Sequence, residues 1–231
     1  MEPTTPPAHP WWPVWNLRIC TERLELRPVR EAEAHDLVEL AGRGVHDPAT
    51  MPFSVAWTDL DSPERERCSY AFYMRCWADL VPGSWRVPFA AYRDGACIGT
   101  ADLVADDFAV LRTVTTGSWV GRASQGIGLG KELRAAMLHL AFDGLGALRA
   151  QTSAWQDNAA SLGVTRSLGY RACGDHLDQR RGERHRLLEY AMEEPEWEAS
   201  PARSMPVEVN GVDAAVLAQL GVPGATSSPR S

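Results

Sequence analysis

"SQGIGLGKELRAAMLHLAF", residues 124–142, sets three glycines within five residues in front of a run that reads as helix. "LRTVTTGSWVG", just upstream, reads as a strand with a break at Gly117. Glycine lets a backbone approach a ligand closely, and the first N–H groups of a helix have no intrahelical partner. Strand, glycine loop and helix N-terminus therefore make a seat for a phosphate, with the helix dipole adding favourable potential. A P-loop would need glycine where Gln125 stands and a hydroxyl where Glu132 stands. A dinucleotide loop would need its third glycine one residue beyond Gly130, in the first βαβ unit of the chain. A kinase glycine loop lies in a strand hairpin instead. What remains is Gln125-x-x-Gly128-x-Gly130, a pyrophosphate cradle without metal, to which Lys131 can add charge. The plain alternative is a helix cap that binds nothing.

The rest of the chain narrows the class. Its 231 residues suit one domain with extra material at the ends. Asp and Glu outnumber Lys and Arg by 30 to 23, which argues against non-specific nucleic-acid binding. Five scattered cysteines without a CxxC pair read as free thiols of a reducing compartment. The histidines show neither HxxxH nor HExxH spacing, so no metal site is expected. The opening "MEPTTPPAHPWWPVWN" has no basic n-region or apolar h-region, and no apolar run suits a membrane span. A cytoplasmic protein acting away from membranes is expected.

Residues 1–16, rich in Pro and Trp, read as an extended arm. Trp11, Trp12 and Trp15 would clamp it onto the domain, line a pocket or form a homodimer contact. Residues 17–195 form the domain. "LRICTERLELRP" reads as a strand and "VREAEAHDLVELAG" as a helix stopped by Gly42. A long aromatic-bearing loop and a second amphipathic helix follow, the latter from Ser62-Pro63. Asp94-Gly95 turns a hairpin between strands 87–93 and 96–104. After the glycine loop and its helix come strand "GALRAQTSA", helix "DNAASLGVTRSLGY" and a closing hairpin around "DQRRGERHR". The pattern is α/β (α+β): a mixed, mostly antiparallel sheet of about six to seven strands, with one βαβ crossing and about four helices. Residues 196–231 read as a loosely packed, partly disordered tail with one short helix.

With these residues in view, the chain resembles the GCN5-related N-acetyltransferases, in the branch of the ribosomal-protein N-terminal acetyltransferases. Their [QR]-x-x-G-x-[GA] motif stands here as Gln125 to Gly130. A second segment follows with Asn158, Ser161 and Gly169-Tyr170, and "RLELRPV" near the start fits the same branch. The resemblance covers residues 17–195 and implies acetyl-coenzyme A as donor and a primary amine as acceptor. That amine belongs either to a small metabolite or antibiotic-type molecule, or to the N-terminus of a peptide or protein. It implies that the backbone around Gly126, Ile127, Gly128, Gly130 and Lys131, with Gln125, holds the pyrophosphate. Ser118 and Val120 would pair with pantetheine amides as an added strand would. Val120 N–H would polarise the thioester carbonyl, and Asn158 and Ser161 would face the pantetheine and sulfur. Many members place a tyrosine where Thr165 stands; Ser161 or Tyr170 could replace it as acid. For a base, Asp102 is favoured over Asp106, Asp107, Glu39 and His46, because it sits on a strand beside the donor site. The other reading of the same resemblance is a non-catalytic acyl-coenzyme A sensor or interaction module.

Overall fold

The computed structural model describes residues 9–224. The expectations for residues 1–8 of the arm and 225–231 of the tail lie outside the described residues.

"LRICTERLELRP" is two strands, β1 (Arg18–Thr21) and β2 (Glu25–Pro28), where the sequence pattern gives one. The turn needs no glycine because Thr21 makes it: its Oγ1 accepts from Leu24 N–H at 2.9 Å. Helix α1 (Glu31–Gly42) and helix α2 (Glu64–Ala78) come next. Strands β3 (Trp85–Arg93) and β4 (Ala96–Ala105) then meet at Asp94-Gly95. Both turn residues have positive φ, 51° and 79°, as a tight hairpin requires. A short helix α3 (Phe108–Leu111) leads into β5 (Thr113–Val120), helix α4 (Leu129–His139) and β6 (Arg149–Trp155). Helix α5 (Ala159–Ser167), β7 (Arg171–Arg180) and β8 (Glu183–Glu193) complete the expected domain. Beyond it lie α6 (Glu194–Glu198), β9 (Val207–Asn210) and α7 (Ala214–Gln219).

All nine strands share one sheet, in the order β7-β8-β6-β5-β4-β3-β2-β1-β9. Only β5 and β6 run parallel, and α4 crosses between them as the expected βαβ unit. The mixed, mostly antiparallel class therefore holds, with more strands than the expected six to seven. One comes from the divided first strand and one from the tail, since β9 pairs with β1 from Arg18↔Asn210 to Thr21↔Val207. Alternation along β3 shows the two faces. Val87, Phe89 and Ala91 enter the large core under α4, whereas Ala90 and Tyr92 meet α1 and α2. Helix α4 is buried along most of its length, so the opening stretch of sequence is the centre of the fold.

The described parts of the arm and the tail are docked more firmly than their composition suggests. Pro13–Asn16 forms a 3₁₀ turn with Val14 buried, and Val14 N–H donates to Gln219 Oε1 of α7. Trp12 and Trp15 pack on the core, while Trp11 is 83% exposed. Trp197, only 1% exposed, stacks on Phe142 with centroids 5.3 Å apart. Its indole N–H donates to Asp143 Oδ1 at 3.1 Å. Trp197→Ala should lower stability by about 3–5 kcal/mol, read as a shifted urea midpoint, because it opens a large cavity and leaves its neighbours behind.

Candidate active site

Strands β5 and β6 begin as a parallel pair and then separate. Their registered pairs run only from Thr113↔Arg149 to Thr115↔Gln151. On its other side β5 stays paired with β4 through Gly99↔Val120. Gly121 N–H donates to Ile98 O at 2.8 Å, so alternation turns the backbone groups of Ser118 and Val120 away from β4. They face the gap on the β6 side. Helices α4 and α5 both start at the carboxyl ends of these parallel strands, where α/β sheets place their ligands. The gap is thus a cleft bounded by two strands and two helix N-termini.

The glycine loop closes its mouth. Gly126 and Gly128 have φ of +77° and +86°, which glycine adopts without steric penalty. The backbone N–H groups of the six residues from Gly126 to Lys131 make no hydrogen bond to any described residue. Around them the scaffold is fixed. The Gln125 side-chain amide donates to Val45 O and Val120 O, each at 2.7 Å. Arg23 and Glu132, which the sequence reading did not single out, lash the β1–β2 turn to this loop. Arg23 Nε donates to Glu132 Oε2 at 2.7 Å and its Nη1 to Ile127 O at 3.0 Å. The available signal was a buried acid on α4 needing a cation, and "TERLEL" carries that cation. A run of free N–H donors beside a guanidinium fits a pyrophosphate.

Asp102 lies across the strand pair from Gly117 and on the α1–α2 face. An added Cβ at Gly117 would sit 2.5 Å from Asp102 Oδ1, so the glycine makes room for the carboxylate. β5 accordingly runs straight through Gly117, without the expected break. Arg86 Nη1 donates to Asp102 Oδ2 at 2.7 Å. Burial nonetheless pushes the Asp102 carboxyl above its ordinary value, against the pull of Arg86 and, more weakly, of Arg134. The other candidate bases are elsewhere. Asp106 and Asp107 follow the far end of β4, and Asp107 caps α3. Glu39 faces His35 on the exposed side of α1. His46 is occupied by Thr58 Oγ1 at 2.7 Å and Asp47 O at 2.8 Å.

Asn158 caps α5, its Oδ1 accepting from Ser161 N–H at 3.1 Å. Both residues therefore stand at the helix end that borders the cleft. Thr165 is 1% exposed and its hydroxyl has no partner among the described residues, so it is a core residue. Tyr170 is buried as well, with its Oη 3.2 Å from Thr116 Oγ1.

The loop from residue 43 to 60 roofs this end of the sheet. His46, Phe53, Trp57 and Trp119 form a continuous run of rings, with centroids 5.2–6.0 Å apart. The β7–β8 hairpin pins the loop. Arg180 binds Asp157 through both Nη atoms, at 2.8 and 2.6 Å, and donates to Met51 O at 3.2 Å. Arg181 grips Asp59 and donates to Pro48 O at 3.1 Å, which holds the Asp59 carboxyl below its ordinary range. Most of "DQRRGERHR" is exposed, as in a solvated hairpin turn, while Arg180 is buried and clamps the loop together with Arg181. Arg180→Ala should destabilise the protein by about 2 kcal/mol, read as a shifted denaturation midpoint.

The acetyltransferase (GNAT) domain model matches residues 23–171. Among solved structures, RimJ of Mycobacterium smegmatis in complex with a CoA disulfide is similar with a TM-score of 0.67. Identity is 23%, over 81% of this chain and 90% of the other. RimL, a ribosomal alpha-N-protein acetyltransferase in complex with coenzyme A, gives a TM-score of 0.60 at 18% identity, over 75% and 95%. A GCN5-related N-acetyltransferase from Brucella melitensis gives 0.62 at 16% identity, over 79% and 80%. No helix among the described residues is long and apolar enough to cross a membrane.

Proposed function

We propose, from the premise that this chain belongs to the GNAT acetyltransferase family and is an acetyl-CoA-dependent enzyme, that it acetylates a primary amine in the β5–β6 cleft. One observation carries the reading. Six consecutive N–H groups without a partner among the described residues, Gly126 to Lys131, stand at the mouth of a cleft whose wall is the free edge of Ser118 and Val120. In this reading the loop holds the pyrophosphate, with Gln125 fixing its geometry and Lys131 adding charge. Ser118 and Val120 pair with the pantetheine amides.

Acetyl-CoA supplies the acyl group already activated as a thioester. The Val120 N–H points at the carbonyl oxygen and stabilises the negative charge that grows there. Asp102, on the acceptor face, takes the proton that the ammonium must lose before the neutral amine attacks. Its raised affinity for protons suits that role better than an ordinary carboxylate would. Ser161, whose hydroxyl makes no hydrogen bond among the described residues, hands a proton to the departing thiolate. The run of rings from His46 to Trp119 walls the acceptor side. An N-terminal α-amine, with pKa about 8, needs less help than a lysine-like amine at about 10.4. RimL's described action on a ribosomal protein makes peptide N-termini the first acceptors to try.

Calorimetric titration with acetyl-CoA and CoA, beside ATP with Mg²⁺ and NAD, tests the cradle. Binding of the CoA pair alone supports it, and thiol release with a panel of peptides and small amines then identifies the acceptor class. Thr165, buried where many relatives of this fold carry a tyrosine, favours one second reading, a sensor that binds acyl-CoA without turnover. Tight binding with no thiol release for any amine would select it.

A further inference from the structure

Strand β7 is one edge of the sheet, and among the described residues nothing pairs with its outer side. The other edge strand, β9, is only four residues long, whereas β7 runs for ten. All nine residues 171–179 are exposed. Side chains alternate between the two faces of a strand, so neither helical layer reaches β7 and both of its faces are open. Leu177, 53% exposed, is the one large apolar side chain on it.

The hairpin turn decides which backbone groups face outward. Arg181 and Gly182 have φ of +52° and +80°, as a two-residue turn requires, so the flanking Arg180 and Glu183 exchange both backbone hydrogen bonds. Alternation from there turns Asp178 and His176 toward β8 and leaves Gln179, Leu177 and Asp175 bonding outward. The outward groups of Asp175 and Leu177 have no partner among the described residues. The Gln179 N–H is held by its neighbour Asp178, whose Oδ1 accepts it at 2.7 Å. An extended strand of another chain would complete this edge.

The side chains select that strand. Two copies of β7 pair antiparallel about a two-fold axis only where outward-bonding residues meet one another. Centred on Asp175, His176 or Asp178, such a pairing sets a carboxylate or an imidazole against its own copy. Centred on Leu177, it sets leucine against leucine at the axis and His176 against the partner's Asp178, twice. These are non-hydrogen-bonded pairs, in which side chains lie closest, with Cα atoms about 4.5 Å apart. His176 holds Glu189 Oε1 through Nδ1 at 2.8 Å, which leaves its Nε2 for the partner's carboxylate. Asp178 then gives up the Gln179 N–H to the Asp175 carbonyl across the axis. Charges along an edge ward off chance pairing, and here they are spaced so that one register satisfies them.

We propose that β7 is a dimer interface, on which a second copy of this chain adds its own β7 antiparallel over residues 175–179 and joins the two sheets into one. The self-complementary order of the edge names the partner, and the interface holds whatever donor or acceptor the cleft takes. The contact is short, so the dimer belongs to the weak class.

Sedimentation velocity on the full chain, from about 1 to 100 µM, tests it. Wild type should form a dimer as the concentration rises. Leu177→Lys, which sets two like charges at the axis, should stay monomeric throughout. His176→Asp should weaken the dimer about 10-fold, and His176→Asp combined with Asp178→His, which exchanges the two charges, should restore it to within about threefold. Each substituted side chain is exposed, and circular dichroism checks the fold of each variant. A wild type that is monomeric at every concentration would overturn the proposal, and that result needs no variant. A dimer indifferent to Leu177→Lys would place the contact elsewhere, and a charge exchange that restores nothing would make His176 a structural residue of its own chain; either result overturns it too.

Discussion

Gly128→Glu is expected to reduce coenzyme A affinity by about 10²-fold or more. Two effects act together. The φ of +86° at Gly128 puts any side chain in the left-handed region, at about 1–2 kcal/mol. The larger effect is the carboxylate itself, which would lie among the N–H groups of Gly126 to Lys131 and repel a pyrophosphate. Gly128→Ala separates the two, because it carries the strain without the charge. An added Cβ would come no closer than 3.5 Å to Arg23, an ordinary contact, so the alanine variant should fold and bind only a fewfold more weakly. Titration of both variants with coenzyme A, alongside circular dichroism, decides the matter. Unchanged affinity in Gly128→Glu would remove the loop from the binding site.

Asp102→Asn is expected to lower kcat/KM by about 10²-fold or more while leaving the fold intact. The pH dependence carries the diagnosis. Only the deprotonated carboxylate accepts a proton, and burial raises its pKa above the ordinary 3.8. Wild-type kcat/KM should therefore rise with pH through that raised value, and the asparagine variant should lose this limb. Stability runs the other way. Between the unfolded and folded pKa the native state binds more protons than the unfolded chain, so stability falls as pH rises across that window. Asparagine removes the term, and Arg86, well exposed, regains water. The variant should thus melt no lower than wild type at neutral pH even as turnover falls. A matching loss of stability and activity would make Asp102 a structural residue only.

The glycine cradle was legible because its geometry writes itself into composition. Positive φ at Gly126 and Gly128, and at Asp94-Gly95, selects glycine and its close substitutes. Asp102 stood out as a carboxylate on a strand beside the cleft. Other features depend on partners far away in the chain. The β1–β2 turn has no glycine or proline to mark it, since Thr21, Arg23 and Glu132 hold it together. "VEVN" is too short and too polar to read as a strand, and it becomes one only because β1 offers a free edge. Arg180 and Arg181 look like surface charge until Met51, Pro48 and Asp59 are brought to them. Arg134 is the extreme case. A single arginine in a helix reads as solvent-facing, and only Thr152 and the Tyr170 ring, distant in the chain, account for its burial.

The pairing of β1 with β9 sets a timetable for the newborn chain. Arg18 is synthesised well before its partner Asn210, with almost the whole sheet in between. At about 5–20 residues per second that interval is roughly 10–40 s. During it the outer edge of β1 displays unpaired N–H and C=O groups, a template on which another nascent chain can add a strand. Contacts so distant in sequence also form slowly once both partners exist. Yield in a cell will thus depend on shielding that edge until the last strand arrives, and a fragment stopped short of residue 207 would carry the hazard permanently.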